Sequence, residues 1–522
     1  MSNRPDPRRW WALGALVACM LVLGFDATIL NVALPTMATQ LGADTGQQQW
    51  IANSYLVVFA ALMLPAGLLG DRYGRRRMLI TGLTVFLGGS LLGTLADSPG
   101  PVIAARSVLG VGGALIMPLA LSVLPTLFPP EERTKAVGMV SAASALGMPL
   151  GPIVGGWLLD HYWWGSIFLI NVPLVLVGIL ACVFLLPETI PHSLNGMGGA
   201  PIPSSPAVDP LSTALTVTGL GAFVFALNEG PTRGWTSATV LGTLAASVLL
   251  LASLVGRERR RSRPMLDLAL LRHRGFLWNT VTAALVTFTF MGLLFVLPTY
   301  LQVVKGQDAF GTGLRMLPMM GGLLVASRAA GPLVQRFGPR PVVTGALLVM
   351  AVAALLGSRT DVHDGYGWTA LWLTLTGFGF GFGIIPAMDG ALGALPRDRA
   401  GNGSGLLMTL RQVAGAVGIA ALGSLIAGTY THHLDTTGLL PAAADAADAS
   451  VGSAHQVAAE LGSEALARSA DAAYLHGMDL ALLVAGIAAT LAAMLTTACL
   501  PDTRPGRSAS PDHAVVAEKT DA

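Results

Sequence analysis

Two ionisable side chains stand inside segments that are otherwise almost entirely apolar. Asp26 occurs in GFDATILNVALP and Arg106 in AARSVLGVGGAL. An ionisable group at the centre of a bilayer costs about 2.5–3.5 kcal/mol on insertion scales, so such a group usually serves a function. Because burial favours the neutral form of a carboxyl group, Asp26 is predicted to take up a proton in one state and release it in another, or to bind a cationic substrate. The structural alternative is an aspartate satisfied by neighbouring hydroxyl groups.

Arg106 is the second such residue, and it shares one helix face with Gly110 and Gly113. A buried arginine needs an anionic or carbonyl partner, and Asp26 is the candidate acid. Arg106 would then favour deprotonation of Asp26 and couple the proton to a conformational change. The alternative is an arginine that snorkels to the outer surface. The secondary candidates for this chemistry are Arg411, in LLMTLRQVAG, and Asp389, in PAMDGALG. The alternative for Asp389 is that it is only a boundary residue of its span.

The composition indicates that lipid surrounds most of the chain. Of 522 residues, 53% are hydrophobic and 11% are charged, whereas globular proteins carry about 25% charged residues. The net charge of +2 is too small to indicate nucleic acid as a partner, and the chain has no basic tract with interleaved aromatic residues. The expected partners are membrane lipid, protons and a small-molecule substrate, and the expected working unit is a monomer.

The sequence carries no motif for a cofactor or a catalytic centre. Its three cysteines lie in apolar runs, where they form neither a disulfide framework nor a zinc site. A Walker A loop needs a glycine directly before its lysine, and none of the three lysines follows a glycine. Neither HExxH nor a nucleophile elbow occurs. We therefore expect no enzyme, no cofactor and no metal site.

The elements that must position these charges are membrane-spanning helices. A helix needs about 20 apolar residues to cross a bilayer, and the chain has fourteen such runs, so we predict an all-α polytopic membrane protein. The runs are 11–33, 48–70, 78–96, 101–126, 136–159, 165–187, 211–229, 236–256, 276–301, 312–334, 341–357, 368–394, 403–429 and 477–500.

The distribution of basic residues predicts the orientation of these spans. If the first helix is retained and the N-terminus is cytoplasmic, only four basic residues fall in outside loops, as the positive-inside rule requires. We therefore expect a multi-pass protein of the cytoplasmic membrane with both termini in the cytoplasm. The predicted order is a cytoplasmic N-terminus (1–10), a six-helix bundle (11–187), a cytoplasmic linker (188–210), two extra helices (211–256), a basic cytoplasmic loop (257–275), a second six-helix bundle (276–500) with a long external loop (430–476), and a cytoplasmic tail (501–522).

A repeated turn relates the two bundles. The segment GLLGDRYGRRR follows span 2, and GPLVQRFGPR follows span 10 with glycine, arginine and aromatic residues in register. Parallel six-helix repeats around a cavity are a transporter architecture. The first segment closely resembles the loop 2–3 signature of the major facilitator superfamily, and the fourteen spans resemble its drug:proton antiporter branch, which has two extra central helices.

The resemblance implies that this turn is an inner-side latch. Its aspartate would face a helix N-terminus of the other half, which favours negative charge, while its arginines tie neighbouring helices. Its glycines would permit a sharp turn and close backbone approach. The second copy has Gln335 in place of the acid, so its latch is expected to be weaker or absent. The alternative is that the arginines only set topology. The residues concerned are Gly67, Asp71, Arg72, Gly74, Arg75 and Arg76.

Helices 1 and 5 carry two further motifs of that branch. Around Asp26, the residues Thr28, Asn31 and Pro35 resemble the helix 1 motif of fourteen-span exporters. Helix 5 resembles the antiporter motif, which marks exporters rather than importers in the family. Three of its glycines, Gly147, Gly151 and Gly155, recur every four residues and form a smooth groove for another helix, although generic helix packing would produce a similar pattern. The six positions are Gly138, Gly147, Gly151, Pro152, Gly155 and Gly156.

The predicted function is a proton-coupled antiporter that exports drugs or antibiotics by alternating access. Its substrates would be small amphipathic molecules, cationic ones among them, held in a midplane cavity with few polar anchors. Export of an organism's own antibiotic for self-resistance is one role that fits. The alternative is a proton symporter that imports a small metabolite through the same fold.

Overall fold

The computed structural model describes residues 9–128, 130–186, 209–261, 264, 266–395 and 400–500. All regular secondary structure in these ranges is helical, as predicted. Nearly all of the predicted linker and the whole predicted tail lie outside the described residues.

The first bundle is formed by long apolar helices with polar ends. Helix α1 packs along α5, and α4 packs between α2 and α3. Asp44 caps the N-terminus of α2: its Oδ1 accepts a hydrogen bond from Gln47 N, and Asp44 N donates to Gln47 Oε1. The helices are α1 (Arg9–Leu41), α2 (Thr45–Tyr73), α3 (Arg75–Thr94), α4 (Pro99–Leu127), α5 (Pro130–His161), α6 (Ser166–Leu169) and α7 (Asn171–Leu185).

A pair of helices, α8 (Pro210–Arg233) and α9 (Ala238–Arg260), follows, and α8 packs on α2 of the first bundle. A polar cluster ties the pair together where α8 begins. Arg257 Nε lies 2.8 Å from Asp209 Oδ2, and Ser212 Oγ lies 2.6 Å from both Asp209 Oδ2 and Glu258 Oε1. The Arg257 guanidinium holds the pKa of the Asp209 carboxyl well below its ordinary value. The Asp209–Arg257 ion pair and its hydrogen bonds therefore hold the start of α8 against the end of α9.

The second bundle follows this pair of helices. Its described elements include a short π-helix and two surface helices, α16 and α17. They are α10 (Arg274–Thr299), the π-helix (Tyr300–Val304), α11 (Ala309–Arg315), α12 (Leu317–Phe337), α13 (Pro339–Gly357), α14 (Tyr366–Gly393), α15 (Ala400–His433), α16 (Pro441–Ala449), α17 (Val451–Leu461) and α18 (Glu464–Cys499); a 3₁₀ turn at Leu268–Arg272 precedes them.

The two bundles pair their helices in the same order. The pairs α1–α5, α2–α4 and α3–α4 of the first bundle correspond to α10–α15, α12–α14 and α13–α14 of the second. The matching turns are also alike, because Gly74 has φ +97° and Gly338 has φ +88°. Glycine adopts positive φ without the steric cost that a side chain brings. The repeat inferred from the sequence is thus present in the packing.

The predicted number of fourteen spans is not confirmed. Among the described residues, twelve helical segments are long and apolar enough to cross a membrane. Helices α2, with 29 residues, and α5, with 32, lie at the predicted spans 2 and 5 but are not among these twelve. Fourteen spans therefore remain a prediction.

The external loop predicted at 430–476 is largely helical, and its boundaries differ from the prediction. Helix α15 continues to His433, and α18 begins at Glu464 rather than at 477. Helices α16 and α17 lie between them, and Tyr430 Oη donates a 3.0 Å hydrogen bond to Ala447 O. Thr45 Oγ1 likewise donates to Ala449 O at 3.2 Å. These two bonds hold the segment against the start of α2 and the end of α15. Its helical structure follows from its alanine content, because alanine has the highest helix propensity.

Candidate functional site

A buried ion pair joins α1 to α4 in the core of the first bundle. Arg106 Nη1 lies 2.8 Å from Asp26 Oδ2, and the two residues are 3% and 1% exposed. Arg106 Nε also donates to Ile51 O at 3.4 Å, and its guanidinium carbon lies 4.5 Å from the centre of the Tyr55 ring. The structure thus brings together the two charges that the sequence singled out, and Arg106 is directed inward rather than to the outer surface.

Two further members of this site were not identified from the sequence. Asn171 Nδ2 donates a 3.2 Å hydrogen bond to Asp26 Oδ1, and Asn171 is fully buried at the start of α7. Tyr55 supplies an aromatic face to the guanidinium. The available signal was that Asn171 is a polar residue inside the apolar run SIFLINVPLV. Each Asp26 oxygen therefore has a donor, and protonation of Asp26 would change both contacts.

The helix 1 motif residues bond within their own helix. Thr28 Oγ1 donates to Gly24 O at 3.4 Å and to Phe25 O at 3.3 Å, and Asn31 Nδ2 donates to Ala27 O at 3.3 Å. Pro35 lies inside α1, further along the same helix. Among the described contacts neither Thr28 nor Asn31 bonds to the Asp26 carboxylate, and Thr28 also lies against Gly151 of α5.

Three glycines of α5 form the surface on which α1 packs. A Cβ on Gly147 would lie 2.7 Å from Leu21 O and Phe25 N. A Cβ on Gly151 would overlap the Thr28 side chain, and one on Gly155 would lie 2.5 Å from Ile29 Cγ1. Small residues let helix backbones approach closely in a membrane protein. The predicted groove exists, and its occupant is α1 of the same bundle.

The remaining described positions of the motif contact the second bundle. A Cβ on Gly156 would lie 2.6 Å from Phe310 Cα and would overlap the carbonyl of Ala309. A Cβ on Gly313 would in turn overlap the carbonyl of Pro152. One motif on α5 therefore serves two interfaces, an internal one with α1 and a second one, with α11, between the bundles.

Asp160 strengthens this second interface. Its Oδ1 accepts a 3.1 Å hydrogen bond from Ala309 N and its Oδ2 a 2.9 Å bond from Phe310 N. Gln302 Nε2 crosses nearby and donates to Val32 O at 2.7 Å. A carboxylate at a helix N-terminus is stabilised by the unpaired amides there. The two bundles are therefore closed against each other at the end of the molecule that carries Asp160, which is the predicted outer end.

We expect Asp160→Ala to weaken this closure. The variant loses two charge-assisted hydrogen bonds, and solvent exposure limits their contribution, so a shift of about three- to tenfold toward the open outer end is expected. A cysteine placed at Val303, in a background without the native cysteines, would then react correspondingly faster with an impermeant maleimide added from outside. Equal labelling rates with and without the carboxylate would contradict the assignment. Asp97→Ala, which removes an exposed carboxylate from the turn between α3 and α4, is the control.

At the opposite end, the arginines of the turn after α2 bind neighbouring helices. Arg75 Nη1 donates a 2.6 Å hydrogen bond to Ser122 O of α4, and Arg76 Nη2 donates to Val183 O of α7. Arg72 is exposed, with its guanidinium carbon 5.4 Å from the centre of the Tyr73 ring. These carbonyls lie in the later turns of their helices, where positive charge is favourable.

One expectation about the motifs is wrong, and others fall on positions outside the described residues. Close backbone approach at Gly67 is wrong, since a Cβ there would meet no described atom within 4 Å; the close contact is at Gly70, against the Leu119 side chain. The Asp71 side chain and the surroundings of Gly138 lie outside the described residues. The predicted contact of Asp71 with the other half remains a prediction.

The secondary candidates lie in the second bundle, away from the Asp26 pair. Arg411 Nη1 is 3.2 Å from Met388 Sδ, and its Nε has no hydrogen-bond partner among the described residues. Asp389 lines a crevice between α10, α12 and α14. Within the described ranges no group of three or more His, Cys, Asp or Glu side chains could hold a metal ion.

Comparison with known proteins places the chain among transporters. Residues 16–419 match the family model described as Major Facilitator Superfamily. The fold is similar to the inward-facing crystal structure of a bacterial homologue of the human lysosomal transporter Spinster, with a TM-score of 0.68 and 17% identity over 95% of this chain and 97% of that one. At this identity the likeness shows the fold alone.

Three curated relatives carry names that refer to resistance or efflux. The chain is 32% identical over 517 residues to the tetracenomycin C resistance and export protein of Streptomyces glaucescens, covering 95% of this chain and 93% of the relative. It is 33% identical to the puromycin resistance protein of Streptomyces alboniger, with 84% and 86% covered. It is 31% identical to the multidrug efflux pump LfrA of Mycolicibacterium smegmatis, with 95% and 96% covered.

Proposed function

The chain belongs to the Major Facilitator Superfamily, and on that premise we propose that it is a proton-coupled antiporter that exports drugs or antibiotics across the cytoplasmic membrane. The names of relatives at 31–33% identity support drug export. Self-resistance is a natural role, because two of these relatives are named for resistance to single antibiotics.

The buried Asp26–Arg106 pair carries the proposal of proton coupling. Two opposite charges in a low-dielectric core are strongly interdependent, since removing one leaves the other unpaired at a cost of about 3–5 kcal/mol. Protonation of Asp26 has the same electrostatic effect on Arg106 as removal of its countercharge. The packing of α1 and α4 therefore depends on the proton, which is the requirement for coupling a proton to alternating access.

The proton gradient supplies enough free energy for this work. Moving one charge through 100 mV is worth about 2.3 kcal/mol, and a tenfold concentration ratio costs about 1.4 kcal/mol. One proton at roughly 150 mV can thus sustain a gradient of about a few hundred-fold for a neutral solute.

A proton symporter that imports a small metabolite is the alternative within the same fold. The glycine surface on α5 favours export, because the family resemblance links that motif to antiporters. The predicted orientation, with both termini in the cytoplasm, defines which direction counts as export. A transport measurement of known sidedness separates the two functions.

Everted membrane vesicles provide that measurement. We expect vesicles that contain the protein to accumulate ethidium or Hoechst dye when the lumen is acidified, and to lose it when nigericin collapses the pH difference. Vesicles from cells without the protein are the control. Dye uptake that is unchanged by nigericin would exclude proton coupling. Uptake that occurs only in right-side-out vesicles would favour the importer.

A further inference from the structure

A crevice of about 520 Å³ opens into the second bundle at the end that carries the Gly338 turn. It lies between the start of α10, the end of α12 and the last turns of α14, which is the predicted cytoplasmic side. Its volume falls within the range of about 300–1,000 Å³ that small-molecule sites occupy. It is separate from the Asp26–Arg106 pair, which lies in the first bundle.

The crevice contains a buried acceptor that has no partner. Asn279 is 7% exposed, and its Nδ2 donates a 2.8 Å hydrogen bond to Gly275 O. Because that carbonyl can only accept, the amide orientation is fixed and Oδ1 is the free atom. No described residue donates to Oδ1. An unsatisfied buried polar atom costs about 1–3 kcal/mol, so its presence in a cavity indicates a ligand or water.

The backbone of α14 makes room for this acceptor. A Cβ on Gly390 would lie 2.6 Å from Asn279 Oδ1, so the side chain can occupy its position only opposite a glycine. The adjacent residue, Asp389, is exposed and lines the same crevice. It has no ion-pair partner in the part of the chain that the structure describes. Among the described residues, a carboxylate without an ion-pair partner and a carbonyl oxygen without a donor therefore line one site.

The remaining described walls fit an apolar body. Val334, Ile385, Pro386 and Leu500 line the crevice together with one further neutral polar side chain, that of Gln335, and Asp389 is the ionisable residue among its described lining. A ligand that matches this wall combines a positive charge and N–H donors with an apolar framework. Anions are disfavoured by the carboxylate, since no described cation lines the crevice to offset it.

We propose that the crevice is a binding site for amphipathic organic cations, in which Asp389 supplies the countercharge and Asn279 Oδ1 accepts a hydrogen bond from an N–H group of the ligand. That such a ligand is the transported substrate rests on the proposed export function. The binding itself does not, and it can be measured without a proton gradient.

Equilibrium binding to the purified full-length protein tests the site. The probes are ethidium, a cation with amino groups, and tetraphenylphosphonium, a cation without N–H donors. Asp389→Asn is expected to raise the Kd of both cations about tenfold or more, because both use the countercharge. The isosteric Asn279→Leu is expected to raise the Kd of ethidium about threefold and leave that of tetraphenylphosphonium unchanged. Glu460→Gln, an exposed carboxylate on α17, is the matched control and is expected to match wild type.

A second measurement uses the wild-type chain and so does not depend on the folding of a variant. Ethidium is expected to protect Asp389 from modification by a carbodiimide, as located by peptide mass spectrometry. Wild-type Kd values in Asp389→Asn, no protection of Asp389, or no cation binding by wild type would each overturn the site. Proton-driven uptake of a neutral dye in vesicles would uphold the export proposal even then, so the two failures are distinguishable.

Discussion

Asp26→Asn is expected to reduce dye uptake in acidified everted vesicles to the level of vesicles without the protein. An amide cannot release a proton, so the variant loses the group that the gradient acts on. It also leaves Arg106 without its anionic partner in a core where both residues are almost fully buried. The initial rate of uptake under a fixed pH difference is the quantity to measure, with Asp26→Glu expected to keep part of the activity because it keeps a titratable carboxyl.

Loss of uptake could also come from misfolding, because an unpaired buried charge costs about 3–5 kcal/mol. The double variant Asp26→Asn with Arg106→Gln removes both charges, so its thermal unfolding temperature should recover while uptake stays absent. Dye exchange without a gradient, measured in the same variants, then separates proton coupling from substrate binding. Exchange is retained if Asp26 only carries the proton, and it is lost if Asp26 binds the cationic substrate. Uptake by Asp26→Asn at the wild-type rate would remove this residue from the mechanism.

Gly156→Leu is expected to lower transport at least about tenfold while leaving the fold of each bundle intact. The new side chain would occupy the space of Ala309 and Phe310, whose backbone can move only if α5 and α11 separate. Overlap with backbone atoms costs far more than overlap with a flexible side chain, because close-packed interiors have little free volume. The closed outer end seen here would therefore become inaccessible, and a cycle that passes through it would stop.

Two matched substitutions separate this effect from general damage. Gly14→Leu places the same side chain on α1, where a Cβ meets no described atom within 4 Å, and transport should be retained. Gly151→Leu forces α1 away from α5 within one bundle, so its unfolding temperature should fall. If Gly156→Leu transports like Gly14→Leu, the α5–α11 contact is not part of the transport cycle.

The outcomes for individual motifs show where sequence reasoning stops. The groove expected from every fourth residue of α5 does face α1, whereas Gly156, which was assigned to the same motif without a partner, faces α11. Adjacent residues such as Gly155 and Gly156 lie on different sides of a helix, and spacing along the chain does not show which helix packs on each side. The carboxylate of Asp160 was missed because the end of a span is an ordinary position for a charge, and its partners, the amides of Ala309 and Phe310, are backbone atoms with no sequence signature.

What the sequence alone determined follows from local physical chemistry. Apolar runs indicated helices in lipid, the glycine turns at Gly74 and Gly338 indicated a repeat, and charges inside apolar runs indicated functional positions. Each of these signals is contained within about one helix length of chain, so it needs no knowledge of the fold.

Which of these positions meet depends on how the helices pack. Asp26 contacts residues 80 and 145 positions away, Arg106 and Asn171, and the crevice of Asn279 and Asp389 joins separate helices. Such contacts depend on how helices cross and pack, and many arrangements share the same hydrophobic pattern. The free energy that selects one arrangement is summed over the whole interface of each helix, so no single motif encodes it.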